Sequence, residues 1–150
     1  MKFILNQDFI DLIKSFNRNK VKYLIVGGYS VIIHGYNRTT GDLDIWVNKT
    51  ERNYLKIKNA FLDFGMPVFD MTLENFLNSS EFDVFTFGRP PVAIDLMTQV
   101  KGLDFERSYK NRFTKRIPDI LINFLSKEDL IKAKKASNRS KDKDDIEHLE

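Results

Sequence analysis

The 150-residue sequence contains no cysteine and no apolar stretch long enough to cross a bilayer. Without cysteine, neither disulfides nor thiolate metal sites can form, and a reducing compartment fits this composition. The first residues, MKFILNQDF, contain an apolar run that is too short for the core of a signal peptide. We therefore expect a cytoplasmic protein that does not enter the membrane.

A strong excess of charge is also missing, because 24 Lys and Arg residues face 21 Asp and Glu residues, a net charge of +3. This charge permits a phosphate-bearing ligand, but it lacks the basic stripe that is typical of nucleic-acid-binding domains. Repeats, linkers and low-complexity segments are absent. The length suits one domain with a substantial core, so we predict a single domain over residues 1–150.

Hydrophobic periodicity in the rest of the chain indicates helices and strands in alternation. Predicted strands are residues 21–26, 43–47, 82–87, 92–97 and 117–125, the third and fourth forming an antiparallel hairpin around GRPP with Arg89 exposed in its turn. Predicted helices follow Asn6, Gly28, Thr50, Thr72 and Ser126, with a last one over about residues 140–149. This pattern predicts an α/β (α+β) fold with a mixed sheet flanked by helices.

Two aspartates stand at the start of an otherwise apolar strand in TTGDLDIWV, residues 39–47. Strand side chains alternate between faces, so Asp42 and Asp44 share one side. Carboxylates about 4–6 Å apart repel by a few kcal/mol at an effective dielectric near 20. Either a partner offsets this repulsion or one carboxylate takes up a proton.

A third carboxylate, Asp95, lies inside VAIDLM, residues 92–97, which otherwise resembles a fully buried strand. An isolated charge there is costly and needs a partner, for which lysine or arginine would serve. If this strand is adjacent to the strand of Asp42 and Asp44, three acidic groups converge. Divalent cations such as Mg²⁺, which prefer oxygen ligands, then become the simplest partners.

The first predicted strand runs directly into Gly27 and Gly28, which open a short helix. Glycines there let backbone N–H groups approach a phosphate, and Ser30 in the first turn offers a hydroxyl. Gly-Gly alone is equally well explained as a tight turn. Together with the two acidic strands, it describes a triphosphate held between a helix N-terminus and two metal ions.

The segment VGGYSVIIHGYNRTTGDLDIWV resembles the motif hG[GS]…HGxxRxTxDxDhxV of the nucleotidyltransferase (DNA polymerase beta-like) superfamily. It is most similar to small bacterial and archaeal members related to toxin–antitoxin nucleotidyltransferases. The resemblance extends over nearly the whole chain, through VAIDLM, GLDFERSY and the closing LSKEDLIKAKKASNRSKDKDDIEHL. It implies the nucleotidyltransferase fold with C-terminal helices.

The resemblance also implies roles for individual residues. Asp42 and Asp44 would bind two Mg²⁺ or Mn²⁺ ions, and Asp95 would complete the catalytic metal site and help to deprotonate the attacking hydroxyl. Gly27 and Gly28 would face the triphosphate. Many members have Ser where Gly28 stands, so a hydroxyl contact is lost there. The implied reaction moves a nucleoside monophosphate from a nucleoside triphosphate to an acceptor hydroxyl and releases pyrophosphate.

Further candidates flank the acidic strand. Arg38 and Thr40 precede it and are nucleotide-binding candidates, with Arg38 clamping a phosphate or bracing Asp44; a solvated loop arginine is the alternative. His34 is interpreted as a helix-end residue rather than a base or ligand. Trp46 shares the aspartate face, where it would stack on a nucleobase or pack within the sheet.

The last two helices carry Lys134, Arg139, Lys141 and Asp142. Taken alone, their mixed charges predict a solvated helix face. The family resemblance instead suggests that Lys141 and Asp142 fold back toward the cleft, and it makes Lys141 a nucleotide-binding candidate.

Three hypotheses for function follow. The first is the metal-dependent nucleotidyltransferase, and the second is a catalytically inactive nucleotide-binding or antitoxin-like regulatory module, against which the three retained carboxylates argue. The third is a nucleic-acid-binding module without chemistry, whose basic and aromatic sequence signature is absent. The acceptor remains open between a tRNA end, a protein hydroxyl and a small molecule, and at this length oligomerisation or a partner protein would help to recognise it.

Overall fold

The computed structural model describes residues 6–78, 83–89 and 92–150. The helices in these ranges are α1 (Gln7–Arg18), α2 (Gly27–Ile33), α3 (Glu51–Phe64), α4 (Leu73–Leu77), α5 (Phe105–Lys110), α6 (Lys127–Ser137) and α7 (Ser140–Leu149). The strands are β1 (Tyr23–Val26), β2 (Leu43–Val47), β3 (Val84–Arg89), β4 (Val92–Met97), β5 (Phe113–Arg116) and β6 (Leu121–Phe124). No helix in the described ranges has the length and apolarity needed to span a membrane.

The six strands form one sheet in the order β3-β4-β2-β1-β6-β5. The outer pairs β3/β4 and β5/β6 are antiparallel hairpins, and β1 and β2 are also antiparallel. The neighbours β2/β4 and β1/β6 run parallel. The predicted mixed sheet flanked by helices is therefore confirmed.

Helix boundaries follow local capping chemistry, as predicted. Asn6, Thr50, Thr72 and Ser126 each accept a backbone N–H of the first turn of the helix that follows. At the end of α2, Gly35 has φ +115°, its N–H donates to Ile32, and the N–H of Tyr36 donates to Val31. These two bonds close the helix in a Schellman motif, for which a glycine at this position is well suited.

Side chains of β2 alternate between two apolar clusters on opposite faces of the sheet. Leu43, Ile45 and Val47 pack with α1 and α3 in the larger cluster. Trp46 joins a smaller cluster under α5 and α6 on the other face, the face that also carries Asp44. The apolar half of the strand is therefore anchored, and the acidic half is left near the surface.

The sequence prediction failed between α5 and α6. The strand predicted over 117–125 is only Leu121–Phe124, because residues 117–120 form the turn of a hairpin that begins with the unpredicted β5. All four residues of β5 are exposed at the sheet edge, so the strand has no apolar alternation to reveal it. The unpredicted α5 has only six residues.

Some sequence predictions lie outside the described residues. These are the first five residues of MKFILNQDF, residue 82 at the start of the predicted third strand, and Pro90 and Pro91 in the hairpin turn. The prediction that Arg89 lies in the turn is wrong, because it is the last residue of β3 and pairs with Val92. Its side chain is outside the described part of the chain.

Candidate active site

Asp44 and Asp95 lie directly opposite each other on the neighbouring parallel strands β2 and β4. The adjacency on which the sequence argument depends is therefore present. On the other side of β4, Thr86 of β3 lies opposite Asp95, and its Oγ1 donates a 2.8 Å hydrogen bond to Oδ1 of Asp95. Strand register thus fixes two carboxylates and a hydroxyl in one line across the sheet.

Asp42 completes the group from the residue just before β2, where it is half-buried. Asp42, Asp44 and Asp95 line one cavity of about 480 Å³, which we call the acidic cleft. Its other lining residues are Gly28, Arg38, Thr39, Thr40, Gly41 and Lys141. Three carboxylates from two strands therefore share one concave surface.

The electrostatics of the acidic cleft are unfavourable for its own carboxylates. Burial, followed by the charges of Asp95 and Asp42, raises the pKa of Asp44 to about 6, against an opposing effect of Lys141 and Lys134. In the described ranges none of the three carboxylates forms an ion pair. The same part of the chain holds no group of three His, Cys, Asp or Glu side chains already gathered as a metal site. The cleft therefore has an excess of negative charge that the chain itself does not neutralise.

Gly27 and Gly28 allow two side chains to approach the backbone at the start of α2. Gly27 has φ +66°, and a Cβ there would overlap the carboxylate of Asp44. A Cβ at Gly28 would overlap the side chain of Thr40 and its Oγ1. A Ser side chain at position 28 would therefore require the side chain of Thr40 to move.

Three sequence candidates do not reach the cleft. Ser30 is buried, and its Oγ donates to the carbonyl of Gly27 at 2.7 Å. His34 caps the end of α2, as predicted, with Nε2 2.7 Å from the carbonyl oxygen of Leu125. Trp46 is only 1% exposed and packs edge-on against the ring of Phe105, so the nucleobase-stacking alternative for it is wrong.

A second group of carboxylates lies beside the cleft and is fully paired. Nε of Arg38 lies 3.1 Å from Oδ1 of Asp145, and Nζ of Lys134 lies 3.1 Å from its Oδ2. Lys134 also pairs with Asp142 at 3.4 Å, and Nε of Arg139 pairs with Asp142 at 2.8 Å. We call these five residues the inner ion network.

The inner ion network corrects two predictions. Arg38 does not brace Asp44, and it is not a solvated loop arginine. Its guanidinium instead pairs with the carboxylate of Asp145. The solvated helix face is wrong for the inward side of α6 and α7, where Asp142 and Asp145 are 0% and 1% exposed. Burial acts to raise the pKa of Asp142, but hydrogen bonds from Arg139 outweigh it and lower that pKa.

Lys141 lies in the first turn of α7, next to the buried Asp142, and lines the acidic cleft. The network holds α7 against α6 and the loop of Arg38, so this helix brings Lys141 toward the carboxylates.

Two residues that contribute to the site were missed in the sequence analysis. Asp145 is part of the closing segment, and Thr86 alternates with the buried Phe85 and Phe87, a pattern that marks it as facing the other side.

A second cavity of about 360 Å³ adjoins the acidic cleft and shares Asp44 and Asp95 with it. Its apolar lining consists of Val26, Val84, Met97, Val100, Leu125, Leu130 and Ala133, and its polar lining includes Gln99, Lys101, Lys134, Ser137, Arg139 and Asp142. Two cavities of different character therefore meet at the paired carboxylates.

Comparison with known proteins gave one family and several similar solved structures, among them the following two. The lincomycin-bound lincosamide antibiotic adenylyltransferase LnuA is 17% identical, with a TM-score of 0.61 over 99% of this chain and 98% of that protein. An antigenic nucleotidyltransferase-like protein from Paracoccidioides brasiliensis is 14% identical, with a TM-score of 0.54 over 95% of this chain and 72% of that one. At these identities the likeness shows the fold alone. A search of curated proteins gave no match.

The family model that matches covers residues 3–150. Its description is "nucleotidyltransferase of unknown function (DUF6036)". The superfamily predicted from residues 26–47 is thereby confirmed, and the chain belongs to this nucleotidyltransferase family.

Proposed function

We propose that the protein catalyses metal-dependent transfer of a nucleoside monophosphate from a nucleoside triphosphate to an acceptor hydroxyl at the acidic cleft. The observation that carries this proposal is the contrast in charge pairing. In the described part of the chain, Asp42, Asp44 and Asp95 share one cavity without forming an ion pair, whereas Asp142 and Asp145 of the inner ion network are both ion-paired. An unpaired acidic group of this kind is expected where cations come from outside the chain.

The donor set fits Mg²⁺ or Mn²⁺, because it consists of carboxylate oxygens only. Asp42, Asp44 and Asp95 would hold the ions. When bound, such ions neutralise the charge that develops on the phosphates and polarise the reacting oxygens.

The side chains of the cleft have separate tasks in the transfer. The acceptor oxygen forms a bond to the α-phosphorus while the bond from that phosphorus to the bridging oxygen of pyrophosphate breaks. Asp95 accepts the proton of the hydroxyl, and the hydrogen bond from Thr86 to its Oδ1 holds the carboxylate in place. Lys141 and the backbone at Gly27 and Gly28 face the triphosphate, with the hydroxyl of Thr40 beside them.

The two cavities support a separate position for each substrate. The attacking and leaving oxygens lie roughly in line through phosphorus, so acceptor and pyrophosphate occupy opposite sides of the carboxylates. The more polar acidic cleft with Lys141 suits the pyrophosphate portion, which leaves the partly apolar cavity beside Asp95 for the acceptor. At about 360 Å³ this cavity has the size of a small-molecule site, and the similar enzyme LnuA was crystallised with lincomycin. We therefore favour a small-molecule acceptor.

The decisive experiment is incubation of the protein with each α-³²P-labelled nucleoside triphosphate, Mg²⁺ or Mn²⁺, and fractionated cell extract. We expect label in a low-molecular-weight product. Asp44→Asn and Asp95→Asn should form at least about 10²-fold less, while Asp70→Asn, an exposed aspartate outside both cavities, should match the wild type. Label in tRNA or protein would refute the small-molecule acceptor but not the transfer. No labelled product with any triphosphate would refute the transfer itself.

A second candidate is a catalytically inactive, antitoxin-like module that binds a nucleotide. One observation favours it: the described residues contain no three-ligand set gathered for a metal. In that case a labelled triphosphate would bind and be recovered intact after incubation with extract and Mg²⁺.

A further inference from the structure

A basic groove lies at the end of the sheet opposite the acidic cleft. It is an open cavity of about 730 Å³ whose lining includes six cationic side chains: Lys14, Lys20, Lys22, Lys56, Arg112 and Arg116. Lys22 immediately precedes β1, whereas Gly27 of the candidate active site immediately follows it. Four strand residues, about 13 Å of chain, separate the two ends.

The groove collects its charge from segments that are distant in the sequence. Lys14 belongs to α1, Lys56 to α3 and Arg116 to β5, and the remaining cations lie in the turns next to α1, β1 and α5. A contiguous basic stripe is therefore absent from the sequence, although the folded surface has one. The expectation that a basic stripe is absent does not hold for the folded surface, although Tyr109 is the one aromatic residue in the described lining of this groove.

The cations of the groove are not neutralised by the chain. Asp119 is the single acidic residue among the lining side chains that the structure describes. In residues 6–78, 83–89 and 92–150, none of the six cations forms an ion pair with a carboxylate. Five of the six are exposed, with Lys56 half-buried. Mutual repulsion of so many like charges is offset when an anionic ligand binds.

Arg112 is held in position before any ligand arrives. Its guanidinium lies 4.1 Å from the centre of the Tyr109 ring, and its Nη1 donates a 2.8 Å hydrogen bond to the carbonyl of the same residue. The ring of Phe105 stacks on that of Tyr109 with the ring centres 5.5 Å apart. Nζ of Lys22 lies 5.8 Å from the centre of the Tyr109 ring. A fixed guanidinium with free N–H groups is a suitable receptor for phosphate oxygens.

We propose that the basic groove binds a single strand of nucleic acid through its phosphodiester backbone. Cations line the groove from the helix side, through Lys14 and Lys56, and from the sheet edge, through Arg116. A concave surface with charge on both sides encloses one chain of phosphates, as in other grooves that bind single strands. This surface goes beyond the proposed transfer reaction, since none of its residues lines the acidic cleft or the partly apolar cavity.

The test is fluorescence anisotropy with a labelled oligouridylate of about twelve nucleotides, within the range of single-strand site sizes. A deoxythymidylate of equal length and a duplex of equal length serve as parallel probes. We expect saturable binding of a single strand that weakens with salt. The double variant Lys14→Gln/Lys56→Gln should bind about tenfold more weakly, and the slope of log K against log salt should be smaller by about 1.4, about 0.7 for each lost phosphate contact.

The matched control is Lys58→Gln/Lys132→Gln, which removes the same charge from exposed lysines outside the groove, one of them two residues from Lys56 on α3. It should keep the wild-type affinity within about twofold. Equal weakening in both double variants would reduce the effect to net charge and overturn the proposal. Tighter binding of the duplex, or no saturable binding of either single strand, would also overturn it. Asp44→Asn should still bind the oligonucleotide, so failure here and failure of nucleotidyl transfer are separate results.

Discussion

The acidic cleft and the inner ion network both contain aspartate carboxylates, and the two groups adjoin at Arg38. They differ in the groups that neutralise their negative charge. Asp142 and Asp145 are buried and meet Lys134, Arg139 and Arg38. Asp44 lies beside Asp95 and Asp42 and meets no cation in an ion pair among the described residues.

The direction of the pKa shifts expresses this difference. Hydrogen bonds from Arg139 lower the pKa of Asp142 in spite of burial. Burial and neighbouring carboxylates raise the pKa of Asp44 to about 6. One cluster therefore contributes to holding α7 in place, while the other is an arrangement that costs stability, as expected of a site that carries out the proposed transfer. The same substitution should act in opposite directions at the two places.

The largest effect is expected from Asp145→Asn. Removing this charge leaves Arg38 and Lys134 without their shared partner in a buried setting, so the free energy of unfolding should fall by about 3–5 kcal/mol. Urea denaturation followed by circular dichroism measures the change. Asp144→Asn, at the neighbouring exposed position on α7, is the matched control and should cost less than about 1 kcal/mol. Equal costs at the two positions would mean that the network does not stabilise the fold.

Asp44→Asn should have the opposite sign. In metal-free buffer at neutral pH, the free energy of unfolding should rise by on the order of 1–2 kcal/mol, because a desolvated charge facing two carboxylates is removed. Transfer activity should fall by about 10²–10³-fold or more. Denaturation and the labelled-triphosphate assay give the two values. A loss of stability resembling that of Asp145→Asn would show that Asp44 has a structural partner.

Gly28→Ser tests the space between the cleft and α2. The added Cβ overlaps Thr40, so we expect a cost of about 1–2 kcal/mol in the free energy of unfolding and weaker nucleotide binding. Adding Thr40→Ala should recover most of both, because the serine hydroxyl then takes the space of the threonine hydroxyl. Thermal denaturation and nucleotide titration measure the rescue. If the double variant is no more stable than Gly28→Ser and binds nucleotide no more tightly, the steric overlap is not with Thr40.

The smallest effect expected is stabilisation by the metal alone. At tenfold excess over its dissociation constant, Mg²⁺ should raise the free energy of unfolding of the wild type by about 1.4 kcal/mol. Asp145→Asn should retain this increment from its lower starting point, whereas Asp44→Asn should lose it. Melting temperatures with and without Mg²⁺ provide the readout. An equal increment in wild type and Asp44→Asn would locate the ion outside the acidic cleft.

The sequence predicted what depends on local pattern. Helix caps at Asn6, Thr50 and Thr72 and the alternation in β2 follow from chemistry within a few residues, and the structure confirms them. The family follows from a dense motif over residues 26–47 and is also confirmed.

Long-range pairing could not be predicted from one sequence. Arg38 and Asp145 are 107 residues apart, and no local pattern tells the arginine which carboxylate it will meet. The basic groove was missed for the same reason, because its charge is spread over separate segments. The edge strand β5 was missed because exposure removes the apolar alternation by which strands are recognised.

The alignment of Asp44 with Asp95 also has a consequence for how the chain reaches its native state. A shift of β4 by one residue against β2 would turn Asp95 toward the large apolar cluster, where an unpaired carboxylate costs several kcal/mol. During refolding, any shift of β4 against β2 by an odd number of residues is therefore energetically unfavourable, because it buries the carboxylate of Asp95. In a refolded preparation, the fraction of molecules that turn over substrate should then equal the fraction whose strands have paired correctly.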